Sequence, residues 1–186
     1  MTTPTSLDTD TRATWTLDPS HSAVEFSARH MMITTVKGRF AELTGTIVAD
    51  DQDFSRSEVD VTITVASIDT RSDQRDGHLR SADFLDVEHF PELTFRSTRI
   101  DGASKESFRL TGDLTIRGTT RPITLDVTYE GAGQDPWGGT RMSFSAAGKI
   151  DRRDYGLTWN VGLEAGGILV SNEVKIQIEA QAVLAG

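Results

Sequence analysis

The sequence predicts an all-β fold of eight antiparallel strands, closed as a barrel or stacked as a sandwich. Three observations carry that expectation. Apolar residues recur at every second position over most of the chain, the period of a half-buried strand. Turn chemistry separates the alternating segments, as at Asp50-Asp51, Asp101-Gly102, Gly118-Thr119 and residues 131–139. The length is 186 residues with no cysteine, which fits one domain that folds on its core rather than on disulfides.

Residues 1–13 are rich in Thr and Asp and carry one large apolar residue, Leu7, so they read as a disordered tail before a single domain over 14–186. The strands follow at about 22–30, 36–49, 58–67, 92–100, 107–116, 122–130, 141–151 and 173–184. Phe108, Leu110, Gly112, Leu114 and Ile116 show the alternation well, with Arg109, Thr111, Asp113 and Thr115 between them. In the second strand the phase slips: Val36 and Phe40 are even, while Leu43, Gly45 and Ile47 are odd. A one-residue slip inside a strand predicts a β-bulge and a bend. Two segments break the pattern. Residues 70–91 predict a short helix near 73–82, capped by Ser72 or Asp73, and then an ordered loop. Residues 152–172 form a long connection with Trp159 and several aliphatics, the kind of loop that often borders a binding site.

Acidic residues outnumber basic ones by 28 to 19, a formal charge of −9, which disfavours nucleic-acid and anionic-surface binding except through a local basic patch. No apolar run approaches the ~20 residues of a transmembrane helix. The first residues lack the basic and apolar regions of a secretory signal, so a cytoplasmic location is expected. Without cysteine there is no thiolate catalysis and no Cys-ligated metal. His21, His30, His78 and His89 are the four histidines, and none lies in an HxH or HExxH spacing.

Several positions on the apolar face are small: Ala28, Gly45, Gly112, Ala146, Gly148 and Ala180. Either they leave an apolar interior partly empty, as a hydrocarbon ligand would require, or larger side chains on facing strands fill the gaps.

The motifs of the chain resemble the YceI-like, polyisoprenoid-binding family. The matching stretches include Trp15, Asp18-Pro19-Ser20-His21-Ser22, Val36-Lys37-Gly38-Arg39-Phe40 and Ser67-Ile68-Asp69-Thr70. They continue through Arg75-Asp76-Gly77-His78-Leu79-Arg80-Ser81, Asp83-Phe84-Leu85-Asp86, His89-Phe90-Pro91, Gly112-Asp113-Leu114-Thr115-Ile116-Arg117-Gly118 and Ile150-Asp151-Arg152-Arg153-Asp154-Tyr155-Gly156-Leu157. The resemblance runs in order over about residues 14–184. Leu85 departs from it, standing where the motif usually has a second aromatic residue.

The resemblance implies an eight-stranded antiparallel lipocalin-like barrel with one short helix and an apolar interior tunnel. It implies a polyisoprenoid, isoprenoid quinone or other long-chain amphiphilic lipid as ligand, with no required cofactor and no metal. Each buried CH₂ contributes ~0.8 kcal/mol, so an isoprenoid chain needs apolar wall along its length and polar contacts only at its head. The expected wall is Phe26, Phe40, Ile63, Phe95, Leu114, Ile116, Phe144 and Ile176, joined from the loops by Phe84, Leu85, Phe90 and Trp159. The expected head-group contacts are Arg75, His78, Arg80, Arg152 and Tyr155. The resemblance also implies a homodimer, since the family's folds often pair, and a barrel that closes incompletely would leave strand edges for a partner to cover. Two other readings compete with a carrier. One is a filled barrel acting as an interaction module. The other is an enzyme, with His78 beside Asp76 as its best acid–base group.

Overall fold

The structure, a computed structural model, describes residues 11–102 and 104–186. Its strands are β1 (Arg12–Leu17), β2 (Ala23–His30), β3 (Thr34–Phe40), β4 (Leu43–Asp50), β5 (Glu58–Thr64), β6 (Ile68–Asp69), β7 (Glu92–Asp101), β8 (Ser107–Ile116), β9 (Thr119–Gln134), β10 (Thr140–Asp151) and β11 (Glu173–Leu184). One α-helix, α1 (Asp73–Arg80), lies between β6 and β7.

Eight of these strands close a ring in the order β1-β4-β5-β7-β8-β9-β10-β11, with β11 pairing back onto β1, and every pairing is antiparallel. The chain therefore forms a closed barrel rather than a sandwich. Closure leaves no open strand edge within this ring of eight.

Strand β1 corrects the expected tail. Residues 1–10 lie outside the described residues, but Arg12 and Ala13 already belong to the barrel. Trp15 sits opposite both Ile47 of β4 and Leu184 of β11. The segment is short and locally polar, and its strand exists because two distant strands offer it partners.

Past this ring, β2, β3 and β6 prolong β1, β4 and β5. Three neighbouring strands break at one corner: at the 3₁₀ turn Pro19–His21, at Ala41-Glu42 and at the 3₁₀ turn Val65–Ser67. Ala41 and Glu42 donate their backbone N–H groups to the O and Oγ of Ser67, at 3.2 and 3.0 Å. The phase slip predicted as a bulge in one strand is this corner, where the ladder stops and restarts. Bulges occur elsewhere. Thr98 in β7 and Glu130 in β9 are each the extra residue between paired neighbours, and they turn Ile100 and Ala132 inward.

Beyond the corner β6 does not pair with β7, and α1 with residues 81–91 fills that side. Ser72 caps the helix by accepting from the Arg75 N–H, while Asp73 and Asp76 stand in the first turn, favourable for the helix dipole. The helix ends at Arg80, shorter than the expected 73–82, because Ser81 turns back and donates both N–H and Oγ to His78 O.

Candidate functional site

The ring encloses one interior cavity of about 480 Å³, within the range of small-ligand sites. Along β8 its lining runs from Phe108 to Ile116, about 26 Å at the strand rise. One end lies at Asp50, Asp51, Phe54 and Lys105, between the β4–β5 and β7–β8 connections. The other lies under α1, at Leu79, Phe84, Arg152, Leu157 and Val170. Between them the lining is almost wholly aliphatic and aromatic.

Ten of the twelve expected wall residues line this space: Phe26, Phe40, Ile63, Phe84, Leu85, Phe95, Leu114, Ile116, Phe144 and Ile176. Phe90 and Trp159 do not. Phe90 packs instead on Gly118 of the β8–β9 turn, where φ is +71° and a Cβ would lie 2.8 Å from the ring. Trp159 packs outside the lining on Phe84 and His78, with ring centroids 5.2 and 4.6 Å away. The small residues divide in two. Ala28, Ala146 and Ala180 line the cavity and leave it open. The glycines do not: a Cβ at Gly112 would overlap Phe95, one at Gly45 would lie 2.8 Å from Leu17, and one at Gly148 would lie 2.7 Å from Leu125. Large neighbours fill the room that the glycines leave.

Of the five expected head-group residues, only Arg152 reaches the cavity. Arg75 instead donates to Thr70 Oγ1 and Thr70 O, each at 2.7 Å. Arg80 donates to Ala66 O and Ile68 O, at 3.0 and 2.9 Å. Both tie the helix to the corner. The expected pairing of Asp76 with His78 does not form. Asp76 is buried and accepts from the N–H and Oγ1 of Thr70. His78 pairs with Asp83 through Nε2, at 2.8 Å. Tyr155 is 2% exposed, its hydroxyl finds no partner among the described residues, and burial pushes its pKa up to about 12.

Arg152 is 4% exposed. Its Nη1 donates to Leu157 O and Trp159 O, at 2.6 and 3.0 Å, its Nε to Ser171 O at 2.9 Å, and its Nη2 to Val170 O at 3.4 Å. Burial lowers its pKa, and the nearby Asp151 charge opposes that. Its five N–H donors thus hold the 157–171 connection by four carbonyls and leave one donor over. It is the single arginine among the described residues lining the cavity.

The Asp50 end escaped the sequence reading. Asp50 is 1% exposed, and its Oδ1 accepts from Thr11 Oγ1 and the N–H groups of Gln52 and Asp53, each at 3.0 Å. Those bonds, led by Asp53, together with Arg56 hold its carboxyl below the usual range. The signal was present in Asp50-Asp51-Gln52-Asp53, where an Asx turn favours a carboxylate at its first position. Nothing in the local pattern marked that aspartate as buried.

Among the described residues, no three His, Asp or Glu side chains converge closely enough to hold a metal ion. Ser20, His21 and Asp18 do meet, but Ser20 Oγ and Asp18 Oδ2 both sit on His21 Nδ1, at 3.0 and 2.9 Å. A relay needs the serine and the carboxylate on opposite ring nitrogens.

The YceI-like domain model matches residues 15–182, nearly the whole barrel. The chain belongs to the YceI-like family. It is 39% identical over 163 residues to Protein YceI of Salmonella newport, covering 88% of this chain and 82% of that protein. The crystal structure of the Campylobacter jejuni YceI protein superposes with a TM-score of 0.73 at 30% identity, covering 85% of this chain and 90% of that one. A polyisoprenoid-binding domain from Saccharophagus degradans, implicated in plant cell wall breakdown, superposes with a TM-score of 0.64 at 16% identity over 92% of this chain and 98% of that one. At that identity it shares the fold.

Proposed function

We propose that this YceI-like barrel binds a polyisoprenoid or related long-chain amphiphilic lipid inside the cavity, without catalysis, as a store, carrier or sensor. The observation that carries the proposal is the largely aliphatic and aromatic lining of the cavity, to which β8 alone contributes Phe108, Leu110, Leu114 and Ile116. Membership in the YceI-like family and the shared fold with a polyisoprenoid-binding domain support it. An extended isoprenoid chain gains from apolar contact along its whole length and needs polar contact only at its end. Arg152 takes that role, with its remaining N–H directed to a head-group oxygen such as that of a quinone or alcohol.

Organic extraction of the purified protein followed by mass spectrometry tests the reading. The expected result is a stoichiometric polyprenyl or quinone species. If the extract is empty, long-chain polyprenol is added and the melting temperature measured. A saturable rise supports binding, because a ligand of the native state stabilises it. An empty extract and an unmoved melting temperature would overturn the proposal and leave a filled-barrel interaction module. Turnover of a lipid substrate that disappears in His78→Ala would overturn the non-catalytic part.

A further inference from the structure

Three of the four lysines in the chain lie in one row on the outer face of the barrel. Lys149 of β10 stands directly opposite Lys175 of β11, Lys175 opposite Ser27 of β2, and Ser27 opposite Lys37 of β3. Opposed residues of an antiparallel ladder project to the same face, and all three lysines are exposed. Like charges set opposite one another weaken a ladder, so folding itself gives no reason for this row. Arg39 and Arg71 lie beside it around a shallow depression of about 380 Å³. Lys149 pairs with Glu173 at 3.3 Å and Arg39 with Asp69 at 3.4 Å. Lys37 and Lys175 make no salt bridge among the described residues, although Glu25 is nearby, while Arg71 shares the Asp69 carboxylate with Arg39. A net positive patch thus sits on a chain of charge −9.

The same two strands, β2 and β3, end in an exposed apolar turn. Met31, Met32 and Ile33 face solvent, Ile33 with 71% of its surface exposed. The turn is braced rather than folded back. Arg29 donates to Met32 O and Ile33 O, at 3.2 and 3.0 Å, and Met31 N–H donates to Leu169 O at 2.7 Å. Exposed Val161 joins the patch through the Leu169–Val161 backbone bond. At the base of the hairpin, Ala28 and Val170 line the cavity.

We infer that the β2–β3 hairpin and its lysine row form a docking face for an anionic lipid bilayer. The apolar tip enters the acyl boundary, and the cations meet headgroup phosphates. The dimensions agree. Ile33 and Lys37 are four residues apart, about 13 Å along the strand. A tip buried ~5–10 Å below the headgroups therefore leaves Lys37 among them. A second copy fits this face poorly, because a two-fold pair would set lysines against lysines. The face stands whether or not the cavity holds an isoprenoid.

The test is co-sedimentation of the full chain with vesicles of phosphatidylglycerol and phosphatidylcholine, or of phosphatidylcholine alone, at 20 and 300 mM salt. The protein is expected on anionic vesicles at low salt, several-fold less at high salt, and little on neutral ones. Met32→Asn with Ile33→Ser, and separately Lys37→Gln with Lys175→Gln, should each cut binding at least fivefold at unchanged melting temperature. Asn tolerates the left-handed φ of +59° at position 32. Trp137→Ala removes the 87% exposed tryptophan at the far end of the barrel and should leave binding unchanged. Equal binding to both vesicle types would overturn the inference. So would loss only in Trp137→Ala, or a dimer that the hairpin variants dissolve.

Discussion

The two ends of the barrel are closed by opposite means. At the Asp50 end the wall is strand ladder throughout, and a buried carboxylate gathers N–H and O–H donors from Thr11, Gln52 and Asp53. At the helix end the ladder stops at the corner, and the gap is filled by irregular chain. There a buried guanidinium gathers the carbonyls of Leu157, Trp159, Val170 and Ser171. Irregular backbone inside a protein leaves N–H and C=O groups without ladder partners, and a buried charge satisfies several at once. The anion closes a turn of a few residues. The cation holds a connection of about twenty, so the helix end depends more heavily on one side chain.

That contrast breaks if Arg152→Met proves mild. The variant leaves several buried carbonyls unsatisfied and should lose about 3 kcal/mol or more in denaturant unfolding, with faster amide exchange over 157–171 and little change near Asp50. Arg152→Lys should recover only a fraction, since one ammonium cannot reach carbonyls spread around a planar fork.

Asp50→Asn should be the smaller lesion, loosening the 50–57 turn and β1 while leaving the helix end protected. It also carries a pH signature. The Asp50 carboxyl is held below its ordinary value of 3.8, so its stabilisation is present above that pH and is lost as pH falls through the lowered folded value. Asp151, held down to about 2 by the Arg153 guanidinium, acts in the same direction. The wild-type stability should therefore decline between about pH 4 and 2, and Asp50→Asn should flatten part of that decline.

The finest distinction concerns Tyr155 at the helix end. Its pKa is raised from 10.0 to about 12, so its contribution is intact below pH 10 and is lost as pH rises through about 12. Tyr155→Phe should shift stability at pH 7 by less than ~1 kcal/mol, because the hydroxyl has no partner to lose among the described residues. It should remove part of the alkaline destabilisation. A loss of several kcal/mol at pH 7 would show that the hydroxyl holds the helix end together.

Much of this molecule was legible because side-chain alternation reports directly on which face of a strand is buried. Leu110, Leu114 and Ile116 announce an interior wall before any neighbour is known, and eight of the expected residues that line the cavity were found that way. Ser72 announced the helix start through its cap. Residues whose roles depend on distant partners were misread. Arg75 and Arg80 looked like free cations in a polar run, but their targets are carbonyls at Thr70, Ala66 and Ile68 that only the corner brings near. Gly112 looked like empty space, and the ring of Phe95 occupies it.

The sequence by itself determined seven of the eight ring strands, their inward faces and the start of the helix, because a period of two and a capping serine are local physics. It also carried the family, through motifs kept in order. Only the tertiary structure decided that Arg12–Leu17 is a strand, that the phase slip at 41–42 is a corner, and that the sheet closes. It alone showed which end holds the buried anion and which the buried cation. Those outcomes rest on pairings between residues tens to more than a hundred positions apart, and backbone groups at such distances have no partner until the chain has folded.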